Sequence, residues 1–397
     1  CELEAFEQDV VGDLAVEVEA LAHGSGGGQQ GIGLGQVELH EVTRWSIVGG
    51  DASPVRSRRY RRCHEDSGVT DRLEDRIAQR ALAHVLDPPT GDDPVIDFLP
   101  PDRLRSAFEG VIGLGFADHE PGEADEAILR AVDLVIRYSV KTSHPRFVNQ
   151  NFAGPDPVSV VGDWLGAALN TTAATFEAAP VFTLMESAVL SKLGRLAGYV
   201  AGPDEGAATT DPVPPLPPGL FCPGGSTATL YALQLARHRL RPDVVRVGTG
   251  GEHLVLFVSE AGHYAATKSA ALLGLGTDAV VEVATDPAGA MIPSALRDAI
   301  GAARASGAVP FAVIGTAGTT VTSAFDDLDA LADICQAESL WLHVDGCYGG
   351  SALFSKRHRY LLRGVERSDS FVWNLHKMMG MTQQCTALLV RDPTRLA

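Results

Sequence analysis

The feature that most constrains this chain is an alternation in its second half. The runs "HLVLFVSE", "AVVEVATD", "PFAVIGTAG", "SLWLHVDG", "SFVWNLH" and "CTALLVRD" are short and almost wholly apolar, and read as buried strands. Between several of them lie stretches with helical spacing: "STATLYALQLARHRL", "HYAATKSAALLG", "IPSALRDAIGAARASG" and "DDLDALADICQAE". Strands alternating with helices predict an α/β fold, a mostly parallel sheet with helices on both faces. Ligands of such sheets gather at the carboxyl ends of the strands. The residues just past each apolar run are therefore the ones to inspect.

Upstream the texture is helical. "DRLEDRIAQRALAHVL", "ADEAILRAVDLVIRYSV", "PVSVVGDWLGAALN" and "PVFTLMESAVLSKLGRLAGYV" all repeat apolar residues at helix spacing, with Pro180 placed for a first turn. "AGPDEGAATTDPVPPLPPGL" is a Pro/Gly loop. The first segment differs: "AHGSGGGQQGIGLGQ" is glycine-rich and "SPVRSRRYRRCHED" is a solvated basic run. Glycine is entropically costly to order, so residues 1–75 are expected to be poorly ordered or atypical. "GIGLGQ" does not match a dinucleotide fingerprint and follows no strand. Residues 76–155 read as a helical segment and 156–397 as the large ligand-binding domain.

The formal charge of -18 argues against a nucleic-acid partner, which needs basic patches. No apolar run reaches membrane-spanning length, about 18 residues or more. The 6 cysteines are scattered with no CxxC spacing, which points to reduced thiols and a cytoplasmic setting. A metal site built from His263, His343, Asp345 and His376 matches no common ligand spacing, and Lys377 nearby would repel the ion.

"FVWNLHKMMG" places Lys377 just past an apolar run, and "LWLHVDGCYGG" places Asp345 at the end of another. A carboxylate leaving a buried strand loses hydration and needs a cationic or hydrogen-bonding partner. The two residues are roughly thirty positions apart, about one strand–helix–strand unit, so they can face one cleft. Gly346, Gly349 and Gly350 follow Asp345 and are expected to leave room for something flat. "FCPGGSTATLYAL" sets Gly225 and Ser226 at a helix start: either a cradle for an anion or a plain start with Ser226 as N-cap. His263 lies at the next strand-to-helix junction, and Thr319 and Thr320 follow another strand. Asp326 reads as the cap of the helix after it.

Pyridoxal 5'-phosphate needs this inventory: a lysine for its aldehyde, an acid for its pyridinium nitrogen, a phosphate cradle and a group on its ring face. Lys377, Asp345, the Gly225–Ser226 loop and His263 supply them in turn.

"HVDGCYGG", "NLHKMMG", "FCPGGSTATLYALQLAR" and "HPRFVNQNFAGPD" together resemble the pyridoxal-phosphate-dependent group II decarboxylases, among them those of glutamate, cysteine sulfinate and other acidic amino acids. The likeness runs from about residue 92 to residue 397. It implies a type I aminotransferase-like fold with a seven-stranded, mostly parallel sheet, assembled as a homodimer with the site at or near the interface. It further implies that Lys377 carries the cofactor, Asp345 pairs with its ring nitrogen and His263 stacks on the ring. Gly225, Ser226, Asn374 and His376 match phosphate-binding positions; Thr320 and Cys347 match positions lining the ring. Asp326 matches an acidic position near the cofactor, and Gln150 a contact to the substrate carboxylate.

The departures are "DGC" for the family's "DAA", "NLHK" for "NPHK", and Tyr348 at a Trp or Tyr position; neither acid nor amine changes. The family also continues into a mobile loop with a catalytic tyrosine and a small C-terminal domain with an arginine for the substrate α-carboxylate. Neither is found in these 397 residues. The reading is therefore decarboxylation of an acidic L-amino acid to its amine and carbon dioxide, with a truncated, cofactor-binding or dimerising paralogue as the rival. The expectation for the isolated chain is cofactor binding without turnover. Phe152 stands where glutamate-specific members tend to have a smaller residue, which would shorten the pocket toward aspartate or cysteine sulfinate.

Overall fold

The computed structural model describes residues 72–87, 89–112, 123–149, 151–200 and 216–396. Residues 1–71, and with them most of the atypical N-terminal segment, lie outside the described residues, as does Gln150. The chain divides into two compact units.

The smaller unit holds α1 (Leu73–Leu86), α2 (Pro101–Ile112) and α3 (Glu123–Tyr138). Helix α3 buries Ala127 and Ala131, about one turn apart, together with Leu129, while Ile128 and Val135 stay exposed. Arg76–Glu126 (2.9 Å), Arg80–Asp133 (2.8 Å) and Arg137–Asp97 (2.7 Å) tie its surface. Exposed pairs of this kind contribute about 0–1 kcal/mol each, so the buried apolar side chains contribute more.

The larger unit begins with α4 (Pro157–Leu169) and α5 (Pro180–Leu196). Asp156 caps α4, accepting from the Val158 (2.9 Å) and Ser159 (3.3 Å) amides. Pro180 occupies the first turn of α5, as its fixed φ favours. Then come β1 (Gly219–Cys222), α6 (Gly225–Leu240), β2 (Leu254–Ser259), α7 (Ala265–Leu272), β3 (Val280–Val283) and α8 (Pro293–Ala305). Last are β4 (Val309–Thr316), α9 (Leu328–Glu338), β5 (Trp341–Asp345), β6 (Ser370–Asn374) and β7 (Thr386–Val390).

The strands form one sheet of order β1-β7-β6-β5-β4-β2-β3. β2, β3, β4, β5 and β6 run parallel, while β7 is antiparallel to both β6 and β1. The seven-stranded, mostly parallel sheet matches the type I architecture that the motifs implied.

Each strand sends alternate residues to opposite faces, so the sheet has two cores. On one face Leu256, Ile314, Trp341, Val372 and Leu388 pack against Ala228, Ala232 and Leu233 of α6. On the other, Phe257, Val313, Leu342, Phe371 and Trp373 meet Leu190 of α5, Leu296 and Ile300 of α8 and Leu331 of α9. Each large side chain removed from water contributes roughly 1.5–3 kcal/mol, and a sheet covered on both sides explains why its strands read as continuous apolar runs. The parallel arrangement sends the carboxyl ends of β2, β4, β5 and β6 to one edge.

Candidate active site

That edge collects the candidate residues. Asp345 is the last residue of β5, and Lys377 comes three positions after Asn374, which ends β6. His343↔Ser370, Val344↔Phe371 and Asp345↔Val372 are in register, so the acid and the amine leave neighbouring parallel strands. His263 follows β2, and Thr319 and Thr320 follow β4. Gly225 opens α6 after β1, which points the same way as β6. These residues line one cavity of about 250 Å³, together with Ser226, Cys347 and Asn374. A cavity of about 150 Å³ accommodates a benzene ring, so this one has room for a ring with substituents.

Asp345 is buried, and its Oδ1 accepts the Cys347 amide at 3.0 Å. Among the described residues no ion pair joins it to Lys377. His263 is held below its ordinary pKa, mainly by burial; the Asp345 carboxylate opposes this, and Lys377 and Lys268 add to it. Its Nδ1 accepts the Ala265 amide at 3.1 Å, so the neutral ring carries its proton on Nε2. Burial, with the Asp345 charge adding, holds the Cys347 thiol well above the usual range. Cys347 is therefore a protonated wall of the cavity and a poor nucleophile.

The α6 N-terminus is shaped for close approach. Gly224 precedes it at φ 120°, in the region that favours glycine. The amides of Gly225, Ser226 and Thr227 occupy the first turn, where an α-helix has no acceptors of its own. A Cβ on Gly225 would strike Cys347 Sγ and come 3.1 Å from Asn374 Oδ1. The Thr386 hydroxyl donates to that Oδ1 at 2.9 Å, which leaves the Asn374 NH₂ to donate elsewhere. Ser226 is not the N-cap; the cap position is Gly224, and Ser226 contributes a first-turn amide.

Several expectations need correction. His376 does not line the cavity: its Nδ1 lies 2.8 Å from the Cys385 carbonyl oxygen, turned to the backbone leading into β7. Phe152 packs on Phe147, ring centroids 5.8 Å apart, while its neighbour Asn151 lines the cavity. Gly346, Gly349 and Gly350 leave no room for a ligand. Added Cβ atoms there would strike Phe371 and meet the Ala317 carbonyl oxygen (2.6 Å) and Trp373 (3.0 Å), so these glycines admit the protein's own groups. Asp326 is not a helix cap; Asp327 caps α9 through the Ala330 amide. Asp326 instead accepts the Met291 and Thr316 amides, both at 2.7 Å, behind Thr316 of the cavity wall. Tyr264, Thr316 and Tyr348 also line the cavity, and the sequence had given them no ligand role. Their signal was position alone, each lying at or just past the carboxyl end of a strand.

The model of the pyridoxal-dependent decarboxylase conserved domain matches residues 115–397. This chain belongs to the pyridoxal-dependent decarboxylase family. It is 49% identical over 276 residues to cysteine sulfinic acid decarboxylase of Rattus norvegicus, covering 69% of this chain and 53% of that protein. It is 43% identical over 306 residues to acidic amino acid decarboxylase GADL1 of Homo sapiens, covering 77% and 55%. The fold superposes on mouse CSAD in apo form with TM-score 0.73 and 42% identity, covering 81% of this chain and 64% of that one. The chain spans about half the length of the curated relatives it matches. The cofactor of this decarboxylase family is pyridoxal 5'-phosphate, and the residues present fit it. A glycine-lined helix N-terminus suits the phosphate, a buried carboxylate suits the ring nitrogen, and one amine shares the cavity with both.

Proposed function

We propose that this chain carries the cofactor site of an enzyme that decarboxylates an acidic L-amino acid, releasing the amine and carbon dioxide. The observation that carries the reading is the meeting of Lys377, Asp345 and the α6 N-terminus in one cavity. Lys377 would hold the cofactor through Nζ, and the same amine is placed in the cavity to carry a proton. Asp345 would hold a proton on the ring nitrogen, because a nearby carboxylate raises the pKa of a cation. The first-turn amides of α6 and the helix dipole hold the phosphate. His263, Thr320 and Cys347 line the same cavity and would bound the ring. When bound, the cofactor supplies the electron sink for the bond to the departing carboxylate.

The relatives act on acidic amino acids by their names, which supports glutamate, aspartate and cysteine sulfinate as the substrates to test. Phe152 lies outside the cavity lining, so it is a weaker guide to chain length than Asn151. The assembly proposed is a homodimer. Val158, Val161, Leu165 and Leu169 on α4, and Val181, Leu184, Met185 and Val189 on α5, are exposed at helix spacing, a face that a second copy would cover. Cytoplasmic residence is proposed from cysteine usage; the described cysteines Cys222, Cys335, Cys347 and Cys385 are free thiols.

The test is to load the chain with pyridoxal 5'-phosphate, follow the visible band of lysine-bound cofactor, and measure carbon dioxide from the three acids. A band from this chain, and release from at least one acid by a chain as long as the relatives, is the expected result. Absence of the band would end the proposal.

A further inference from the structure

We propose that His343 is a positioning residue for Asp345, turning an Nε2–H toward that carboxylate directly or through one ordered water. The inference rests on the functional reading above and adds a residue to it. His343 lies on β5 two positions before Asp345, so the two side chains stand on the same sheet face. The imidazole is fully buried. Its Nδ1 is 2.9 Å from Ser370 Oγ, on the β6 residue directly opposite. Trp341 Nε1 donates to the same Oγ at 2.8 Å.

The direction of this chain follows from its members. An indole N–H only donates, so Ser370 Oγ accepts from Trp341. The serine's proton is then available to Nδ1 of His343. Burial holds the His343 pKa down, to about 4, against the Asp345 charge and a hydrogen bond with the Ser370 backbone, so the ring is neutral at neutral pH; with the serine donating to Nδ1, its own proton sits on Nε2. That Nε2 is buried and has no hydrogen-bond partner among the described residues. A buried donor without an acceptor is costly and calls for one. The next side chain on that face is the Asp345 carboxylate, whose charge is felt at His343 and favours its protonated form. The opposite tautomer would set a lone pair against a carboxylate. Trp341, Ser370 and His343 thus form a directed line behind Asp345, whose Oδ1 is held by the Cys347 amide from the other side. The Cys347 amide and the His343 Nε2–H would together orient the carboxylate toward the cavity that it lines.

The experiment compares His343→Leu, His343→Gln and Ser370→Ala, with Ser351→Ala as control. Ser351 accepts from Trp373 Nε1 at 3.0 Å, an equally buried tryptophan–serine pair whose indole packs in the opposite core. Pyridoxal 5'-phosphate affinity, read by absorbance titration, is expected to fall about tenfold in His343→Leu and Ser370→Ala. Glutamine keeps an amide donor near the Nε2 position, so His343→Gln stays within about threefold of the parent, as does the Ser351→Ala control. Wild-type affinity in His343→Leu, or an equal loss in Ser351→Ala, overturns the assignment. An independent reading is the ¹⁵N spectrum of histidine-labelled chain, with the His343 signals identified by their loss in His343→Gln. The Nε2–H tautomer is expected. An Nδ1–H tautomer overturns the positioning role even where the parent binds the cofactor well. A parent that binds no cofactor overturns the functional reading, and the positioning role with it.

Discussion

Asp345 and Lys377 leave neighbouring parallel strands and face the same cavity without pairing to each other. A carboxylate and an ammonium this close in a buried site would ordinarily be expected to form an ion pair. The cavity therefore presents an acid and an amine together, not paired to each other, the two groups that a flat ring with a basic nitrogen and an aldehyde requires.

Lys377→Ala is expected to abolish the visible band of lysine-bound cofactor. Any remaining cofactor would dialyse away, since only the phosphate and ring contacts persist. Carbon dioxide release by the full-length protein should fall on the order of 10²–10⁴-fold from the loss of the proton carrier alone. Retained absorbance in the alanine variant would assign the covalent link to another lysine.

Gly225→Ala tests the cradle. The new methyl meets Cys347 Sγ and Asn374, so overpacking of about 1–3 kcal/mol is expected, with weaker cofactor binding. Cys347→Ala removes the struck sulfur and should restore part of the loss. The coupling is read from a double-mutant cycle on the urea midpoint; strict additivity would place the two residues out of contact.

Asp326 predicts a pH dependence of stability. Burial raises its pKa to about 6 from the ordinary 3.8, against the lowering effect of its two amide donors. The folded chain therefore binds this proton more tightly than the unfolded chain. The group favours the fold at or below about pH 4, and that contribution is lost as pH rises to about 6, a change on the order of 3 kcal/mol. Asp326→Asn should lack this slope, so that the difference between variant and parent urea midpoints changes with pH across the window. It should also cost about 1–3 kcal/mol at neutral pH, since the amide NH₂ opposes one of the backbone donors.

Val181→Glu combined with Leu184→Glu tests the apolar face of α5. Both positions are exposed, so the fold should hold while the assembly dissociates. Sedimentation equilibrium is expected to show the parent as a dimer and the double variant as a monomer, with little change in circular dichroism. A parent that sediments as a monomer removes the interface proposal.

The sequence by itself made legible the α/β class, the strands β2 to β7 and the helices between them, because patterns of period 2 and 3.6 are local. It also determined that an acid and a lysine follow two of those strands. The rest needed tertiary structure. β1 was not legible as a strand: Gly219–Cys222 is four residues long, with a half-buried centre, and its pairing partner β7 lies far along the chain. The glycines after Asp345 advertised space that Phe371 and Trp373 fill, and those rings come from a strand about twenty residues on. Asp326 and Asp327 are alike as caps in sequence; a bond to the amide of Met291, from another part of the chain, decided which is which. His343 read as one more histidine until burial and Ser370 across the sheet left its Nε2 without a partner. In each case the deciding contact joins residues far apart in the chain, and the local pattern of a sequence carries no register between distant segments.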